Sequence, residues 1–400
     1  MVNKIVQIKD LAEAFSGYAF AAEEMQGTAI PILKIGNIQN HQILNETDSF
    51  YDGQISEKLE KYVLQKDDFV IAMTGAGSVG RPGKMMDYTY PFLVNQRVAI
   101  VRANSKKVNP TFLFYFYSME YVERYLYGLG IGAGQPNISA DDILSLKVTF
   151  PPLPTQQKIA SILSAYDNLI QNYKKQIEAL QTTASELYKE WFVRFRFPGY
   201  QTTKFENGIP EGWKVVRLKD IAKDVGKAIT KTEIDFEKDV YIPIDCIPNH
   251  NMALTEISNI ENAESSLQHF ESGDILFGAM RVYFHKVILA PIQGVTRKTC
   301  FVIHAKKDIL HNYLYSLLFS DTTINYANTI SVGATMPYVR WNDFIRMQCL
   351  LPSEKILNDY NKIISSIFKR IMNSYEYLTN LTKQRDLLLP RLMSGKLEVN

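Results

Sequence analysis

The chain has 400 residues, of which 46% are hydrophobic and 22% charged, and its formal net charge is +2. This length can supply two or more domains with their own cores, and the composition excludes a disordered, collagen-like or strongly basic chain. No apolar run reaches the ~18 residues of a membrane helix, and the first residues lack the apolar stretch of a secretory signal. The three cysteines show no paired or metal-type spacing, which predicts a reducing, cytoplasmic location and no contact with membranes.

The first half of the chain predicts an α+β module. Strand-like runs at 69–73 and 98–101 are bounded by Gly, Pro and Asn turns, and a helical run rich in aromatic residues follows at 111–118. We interpret these aromatic residues as core and not as platforms for stacking bases. A turn at 132–136 with the pattern Gly-Ala-x-x-Pro then precedes a proline-containing strand exit at 150–154.

The segment from Gly75 to Gly80 fits the pattern G-x-G-x-x-G after a predicted strand. A dinucleotide site also needs a helix that opens at the third glycine and an acid about 20 residues further on. Pro82 and Gly83 follow at once and block such a helix. We therefore predict a turn-rich loop.

A long helix is predicted next, with apolar side chains at steps of three and four residues. This pattern is a heptad seam with one four-residue stutter, on a helix of ~35 residues and ~50 Å. The predicted seam consists of Ile159, Ile162, Tyr166, Leu169, Tyr173, Ile177, Leu180, Ala184, Leu187 and Trp191. The helix is predicted to stop at Phe197-Pro198-Gly199.

The second half of the chain repeats the first. The turn at 132–136 recurs at 333–337, a displacement of 201 residues, and upstream matches drift to displacements of 210 and 206, so the drift falls in loops. A second helical seam consists of Tyr360, Ile363, Ile367, Ile371, Leu378, Leu381, Leu388 and Leu392. Its weak points are Ser374 and Arg385, with Tyr375 and Leu389 as compensating neighbours. Pro390 and Gly395 are predicted to stop the helix.

A seam this narrow needs a partner helix, and the other copy is available. The predicted fold is α+β, with two similar modules separated by two long helices that pack as an antiparallel coiled coil with pseudo-two-fold symmetry. The alternative is a single helical hairpin inside an ordinary core. The predicted segments are a first module (1–150), a central helix (151–200), a second module (201–351) and a C-terminal helix (352–400).

Basic residues occur at equivalent places in the two copies and predict two equivalent contacts with a polyanion. The alternative is a solvated surface without a partner. The first stretch holds Arg81, Lys84, Arg97, Arg102, Lys106 and Lys107 against the single acid Asp87; the second holds Arg281, Lys286, Arg297, Lys298, Lys306 and Lys307.

Motifs for catalysis are missing from the sequence. It has no Walker lysine motif, no H-E-x-x-H, no Cys/His cluster and no [Asp/Asn]-Pro-Pro-[Tyr/Phe] tetrapeptide. We interpret His285 and His304 as surface or core residues. The sequence therefore predicts no catalytic residues and no metal site.

The order of these elements, repeated twice, resembles the specificity (S) subunit of type I restriction-modification systems over essentially the whole chain. The resemblance rests on the run from Asp68 to Gly80, the Gly-Ala-x-x-Pro turns, the strand exit from Phe150 to Ile159 and the closing Leu-Met-Ser-Gly-Lys-Leu at 392–397. The second loop, Gly278-Ala279-Met280-Arg281, departs from the pattern, so the two modules need not read DNA alike.

The resemblance implies a non-catalytic subunit that recognises double-stranded DNA. Each module would read one half of an asymmetric bipartite site, and the helices would fix the spacer and dock two methyltransferase (M) subunits. Restriction (R) subunits would complete the nuclease. The chain itself would hold no cofactor: S-adenosylmethionine would belong to the methyltransferase partner, and ATP and Mg²⁺ to the restriction partner.

Basic loops bind phosphates, while Asn, Gln, Arg and Ser side chains read base edges, and these types supply the candidate contacts. In the first module they are Lys34, Asn37, Gln39, Thr74, Ser78, Arg81, Lys84, Gln96, Arg97, Gln135 and Asn137. In the second they are Asp245, Asn249, His250, Arg281, Tyr283, His285, Lys286, Thr296, Arg297, Lys298 and Thr335. The alternatives are a helical scaffold without sequence-specific DNA binding, a fused methyltransferase or nuclease, and a recognition subunit of a related methyltransferase system.

Overall fold

The computed structural model describes residues 5–86, 91–132 and 134–399, so Asp87 of the first basic stretch and Ala133 of the first Gly-Ala-x-x-Pro turn lie outside the described residues. The chain divides into two compact units. The first unit comprises Met1–Leu169 and Lys383–Asn400, and the second unit comprises Ile170–Thr382. Each unit therefore contains one module together with a piece of each long helix.

The first module combines short strands with four α-helices, three of which follow strand Val98–Ala103 in the chain. Its strands are Val6–Gln7, Ala12–Ser16, Ile30–Leu33, Ile38–Gln39, Gln42–Ile43, Phe50–Tyr51, Phe69–Ala72, Pro82–Gly83, Leu93–Val94, Val98–Ala103 and Lys147–Val148, and its α-helices are Glu57–Glu60, Pro110–Tyr117, Glu120–Leu129 and Ala140–Leu144. Asn109 caps the aromatic helix Pro110–Tyr117, because its side chain accepts from the Phe112 N–H. All residues of this helix from Phe112 onward are buried.

The main sheet of the first module is covered on both faces. Its antiparallel strand order is Ala12–Ser16, Val98–Ala103, Phe69–Ala72, Pro82–Gly83. Phe69 packs with the helices on one face, while Val70 joins a second apolar cluster on the other. Side chains alternate between faces along a strand, so burial of both faces produces the continuous apolar runs seen in the sequence.

The second module repeats this arrangement. Its strands are Phe205–Glu206, Ile209–Pro210, Lys214–Arg217, Ala222–Asp224, Lys227–Ile229, Val240–Tyr241, Leu267–Phe270, Ile275–Gly278, Val287–Leu289, Gly294–Arg297, Cys300–Ala305 and Gln348–Leu351, and its α-helices are Leu218–Ile221, His311–Leu318, Asp321–Thr329 and Trp341–Phe344. The corresponding sheet has the order Ala222–Asp224, Cys300–Ala305, Ile275–Gly278, Val287–Leu289. The internal repeat predicted from the sequence is confirmed in the strand order of the main sheet.

A buried carboxylate occupies the same place in both modules. Asp68 closes the turn before strand Phe69–Ala72 by accepting from the Gln65 N–H at 2.9 Å, and it pairs with Arg102 at 2.6 Å. In the second module Asp274 closes the equivalent turn and pairs with His304 at 2.8 Å. Arg102 therefore has a structural role within the first basic stretch.

The two long helices are Leu153–Tyr188, of 36 residues, and Glu354–Met393, of 40 residues. The predicted stop at Pro390 is wrong, because the second helix continues through this proline within its last turn and ends at Met393. A proline removes only one backbone hydrogen bond there, and the left-handed Gly395 (φ 70°) follows the true end.

The predicted seams are wrong in register over part of their length. Leu169 is 46% exposed whereas Ile170 is 4% exposed, and Ile363 is 45% exposed whereas Ile364 is fully buried. Ile162 is exposed in the same way. The buried and half-buried positions follow unbroken steps of three and four at Gln156, Ala160, Leu163, Asp167, Ile170, Lys174, Ile177, Gln181, Ala184, Tyr188 and Trp191, and at Leu357, Tyr360, Ile364, Ile367, Ile371, Ser374, Leu378, Leu381, Arg385, Leu388 and Leu392.

No stutter is needed once the polar members of the seam are included. A seam assigned from apolar residues alone passes over Asp167 and Gln181 and takes their half-buried neighbours Tyr166 and Leu180 instead. These polar side chains are satisfied in place: Asp167 accepts from Arg385, and Gln181 bonds the backbone of the second module. Ser374 is also buried and donates to the Ile371 carbonyl.

Within each unit the helices contact each other. In the second unit Tyr173 stacks on Tyr377 with ring centroids 5.4 Å apart, and Trp191 packs on Tyr360 at 5.6 Å. One residue number rises as the other falls, so the segments run antiparallel. The first unit buries Leu163 and Leu392 in one cluster. The α+β fold with paired long helices is confirmed, and the division at residues 150, 200 and 351 remains a prediction about sequence segments.

Candidate nucleic-acid interface

Two loops of the first module that carry candidate contacts are joined by backbone hydrogen bonds. The loop after strand Phe69–Ala72 meets the turn that ends at Asn137: Thr74 forms a β-bridge with Asn137, and the Gly75 N–H donates to the Pro136 carbonyl at 3.2 Å. The exposed Gln135 lies beside Gly75. The predicted residues Thr74, Gln135 and Asn137 are therefore brought together, as the sequence order alone could not show.

Arg81 closes the same loop, and its Nη2 lies 3.4 Å from the Ser78 hydroxyl. The neighbouring strand begins after Gln96 and Arg97, whose side chains are exposed, and the Arg97 carbonyl accepts from the Met73 N–H at 3.0 Å. Hydrogen bonds thus hold Ser78, Arg81 and Arg97 close to the ends of the two inner strands of the main sheet. The glycine-rich segment is a loop without a following helix, as predicted.

The remaining candidates of the first module have partners within the protein. Asn37 is buried and bonds the Lys34 N–H and the Glu46 carbonyl, so its side chain holds a turn. Lys34 pairs with Asp48 at 2.6 Å, and Lys84 donates to Thr111 at 2.7 Å. Burial lowers the pKa of the Lys84 ammonium. Gln39 is the most exposed residue of this group.

Five candidates of the second module line one cleft of about 620 Å³. They are Asp245, Asn249, Arg281, Lys286 and Arg297. Lys286 donates to the Ile244 carbonyl at 2.8 Å, which ties one wall of the cleft to the sheet. Lys298 and Thr335 are exposed nearby in sequence. The second module therefore offers a cleft lined by cationic and amide side chains, which is the chemistry that bonds phosphates and base edges.

Three predicted contacts of the second module lie elsewhere. Thr296 and His285 are buried, and the His285 Nε2–H donates to the Phe319 carbonyl at 2.8 Å. Burial lowers the pKa of His285, with the neighbouring His250 acting in the same direction. His250 is exposed but stacks on the His285 ring. Thr296 and His285 therefore belong to the interior of the module.

The loop that lost its glycines keeps the backbone of the first copy. Arg281 has φ 50° and its N–H donates to the Pro337 carbonyl at 2.7 Å, as Gly75 (φ 106°) does to Pro136. His285 has φ 54° where Gly80 has φ 83°. Left-handed backbone is strained for residues with a Cβ, and such strain concentrates at functional sites.

Exposed apolar side chains around this loop were missed by sequence reasoning. Tyr283, which was predicted, is 51% exposed, and its ring lies 4.7 Å from that of Phe284, which was not. Met336 is 56% exposed and lines the cleft with Phe284. In a single sequence, apolar residues such as Phe284 and Met336 are interpreted as core. Only their position in turns could have indicated that they are exposed.

Three arginines of the candidate interface share one feature, a buried Nε–H group. Arg81, Arg281 and Arg297 are half-buried, and within the described part of the chain their buried Nε–H groups find no acceptor. Buried donors are nearly always paired in folded proteins, so an unpaired one marks a place where a partner can complete the bonding. All three arginines are among the residues predicted from the sequence.

A family model described as the type I restriction modification DNA specificity domain matches residues 3–182 and, a second time, residues 210–385. The chain belongs to this family. Its two matched segments each contain one module, so this specificity subunit has two target recognition domains, and DNA binding fits the family. The family predicted from the sequence is confirmed.

Relatives of this specificity subunit occur in archaea and bacteria. The chain is 29% identical over 307 residues to the type I restriction enzyme MjaIX specificity subunit of Methanocaldococcus jannaschii, covering 72% of this chain and 69% of the relative. It is 22% identical over 375 residues to the HindI specificity subunit of Haemophilus influenzae, covering 76% and 81%. Both names describe subunits of type I restriction enzymes.

The crystal structure of a type I restriction-modification S subunit from M. genitalium has the same fold. It superposes with a TM-score of 0.63 at 15% identity, covering 98% of this chain and 96% of that one. Among the described residues, none of the helices is both long and apolar enough to span a membrane.

Proposed function

We propose that this chain is the non-catalytic DNA-recognition subunit of a type I restriction-modification complex and that it reads an asymmetric bipartite site. The observation that carries the proposal is one backbone scaffold with two sets of side chains. The β-bridge between Thr74 and Asn137 in the first module corresponds to the β-bridge between Met280 and Tyr338 in the second. Lys286 occupies the position of Arg81. Two modules with the same loop backbone but different side chains are suited to bind two half-sites of different sequence.

Base edges differ in their donors, acceptors and methyl groups, so a change of side chain on a fixed backbone changes the base that is preferred. In the first module the joined loops present hydroxyl, amide and guanidinium groups. In the second they add the apolar Met280, Phe284 and Met336. We infer that the first module reads mainly through hydrogen bonds and that the second also uses apolar contacts, as apolar side chains do at thymine methyl groups or between base steps.

The proposal includes two M subunits, with R subunits joining them, in the cytoplasm where the host DNA lies. Ile162 and Ile363 are equivalent positions on the two long helices, and both side chains are exposed. Isolated apolar side chains at repeated positions support two equivalent docking sites for one kind of partner. S-adenosylmethionine would be bound by the M subunits, and ATP and Mg²⁺ by the R subunits.

Alanine variants of one module should relax one half-site only. We expect Arg97→Ala to weaken selection at the first half-site and Arg297→Ala at the second, each by about 1–3 kcal/mol if the arginine contacts a base. The measurement is selection from random duplex pools by the complex with its M subunits. Arg346→Ala, which removes an exposed arginine outside the long helices and the candidate interface, is the control.

Three results would contradict the proposal. Enrichment of no sequence would favour a helical scaffold, and equal relaxation of both half-sites by either variant would contradict one reader per module. Transfer of labelled methyl groups by the isolated chain would show that it is an enzyme.

A further inference from the structure

Three side chains with metal-binding atoms converge in the second unit, outside the cleft described above. They are His250, His285 and Asp321, and their ligand atoms all lie within 4.8 Å of one another. The His285 Nδ1 is 3.8 Å from an Asp321 oxygen, and the two imidazole rings are stacked with centroids 4.3 Å apart. Imidazole nitrogens and a carboxylate are ligands that Zn²⁺ and related dications prefer.

His285 is already oriented as a ligand. Its Nε2 lies 2.8 Å from the Phe319 carbonyl, and a carbonyl can only accept, so Nε2 carries the hydrogen. The lone pair of the neutral ring is therefore on Nδ1, which faces Asp321. A hydrogen bond from the far nitrogen to a carbonyl is the usual way in which proteins fix the tautomer of a metal-binding histidine.

The backbone of His250 is fixed from two sides. Its N–H donates to the His285 carbonyl at 3.0 Å, and its own carbonyl accepts from Gln181 of the central helix at 2.9 Å. Both histidines hold left-handed backbone, with φ 47° and 54°. This conformation disfavours side chains with a Cβ. Both imidazole rings also pack against the Phe319 ring, with centroids 5.8 and 4.5 Å away.

The first module places a different pair at the corresponding position. His41 (φ 61°) is equivalent to His250, and it pairs at 2.6 Å with Glu123 of the helix that follows the aromatic one. The position of His285 is Gly80 there, and a Cβ at Gly80 would meet Leu126 at 2.9 Å. The second module has thus made room for a side chain where the first excludes one.

We propose that His250, His285 and Asp321 bind a dication of the Zn²⁺ type through two imidazole nitrogens and one carboxylate, with water in the remaining position. The lone pairs of stacked rings are parallel, so the exposed His250 ring turns out of the stack on binding while His285 stays in place. The ion would join the turn Val282–Phe284 to the helix Asp321–Thr329. Metal binding itself does not depend on the proposed DNA recognition.

The full-length chain, stripped of metal with a chelator, is titrated with Zn²⁺ by calorimetry and with Co²⁺ by visible absorption. We expect one ion per chain and an affinity about 100-fold lower in His285→Gly, because loss of a direct ligand costs at least as much as loss of a supporting partner. His285→Gly adopts the residue of the first module at a left-handed position, so it should keep the fold. Asp321→Asn should weaken binding in the same direction.

Two matched controls separate this site from adventitious binding. His41→Asn removes the corresponding histidine of the first module, and His304→Gln removes a histidine of the other close pair, His304 and His311. Both should bind as the unaltered chain does. Equal affinity of the unaltered chain and His285→Gly, or a loss that follows His304→Gln instead, would overturn the proposal.

Discussion

Replacing Arg385 with alanine is expected to destabilise the first unit by about 3–5 kcal/mol, the usual cost of leaving one member of a buried ion pair alone. Asp167 is 5% exposed, and one of its oxygens accepts from Arg385 at 2.8 Å while the other accepts from the Tyr115 hydroxyl at 2.6 Å. Burial and the adjacent carboxylate raise the pKa of Tyr115, so it remains a neutral donor that cannot replace the lost cation.

The internal repeat shows that this pair is not needed for the helices to pack. The positions equivalent to Asp167 and Arg385 are Phe368 and Ala184, and both are buried. The second unit therefore fills the same place with apolar side chains. Ion pairs of this kind contribute little compared with an apolar replacement, yet they are costly to break singly.

The effect can be followed in one unit at a time. All three tryptophans, Trp191, Trp213 and Trp341, belong to the second unit, so fluorescence follows that unit while hydrogen exchange in Pro110–Tyr117 follows the first. We expect faster exchange in the first unit and unchanged fluorescence. Arg391→Ala, which removes an exposed arginine of the same helix, is the control, and adding Asp167→Asn should recover part of the loss. An Arg385→Ala protein within about 1 kcal/mol of the parent would contradict the argument.

Lengthening both long helices by seven residues is expected to lengthen the unread spacer of the DNA site by about three base pairs, because the family resemblance implies that the helices set that spacer. Seven residues keep the heptad register and add about 10 Å, while duplex DNA rises 3.4 Å per base pair. Copies of residues 174–180 and 370–376 can be inserted at the level where Tyr173 stacks on Tyr377.

The measurement is the spacer length in sites selected or methylated by the reconstituted complex. Insertion in one helix only is the control. Beyond the insertion, the buried positions of the two helices no longer face each other in register. This variant should therefore be less stable and should not give a new defined spacer. An unchanged spacer after the double insertion would show that the helices do not set it.

The repeat and the core strands could be predicted because they leave local signals. Strand Phe69–Ala72 and its copy Ile275–Gly278 are buried on both faces, so each appears as an apolar run. The sequence predicted correctly that both long helices have a buried seam, but it did not predict which residues form it. Asp167 and Gln181 occupy seam positions as polar residues, and their partners Arg385 and Met252 are distant in sequence.

The candidate site could be predicted as a set of loops but not residue by residue. A polar residue in a loop carries no sign of whether it faces outward, and Asn37 is turned inward to hold a turn. Absence of glycine suggested that the second loop departs from the first, yet Arg281 and His285 adopt its left-handed backbone. Backbone conformation is set by the bonds between loops, such as that from Arg281 to Pro337, which a single sequence does not reveal.

We infer that the two modules of this chain read two different DNA segments. The most direct test is to sequence methylated positions across the genome of a host that expresses this chain with its M subunits, against the same host without the chain. We expect methylation at one asymmetric sequence made of two defined segments around a spacer of constant length. Methylation at a single continuous motif, or at the same positions with and without the chain, would contradict it.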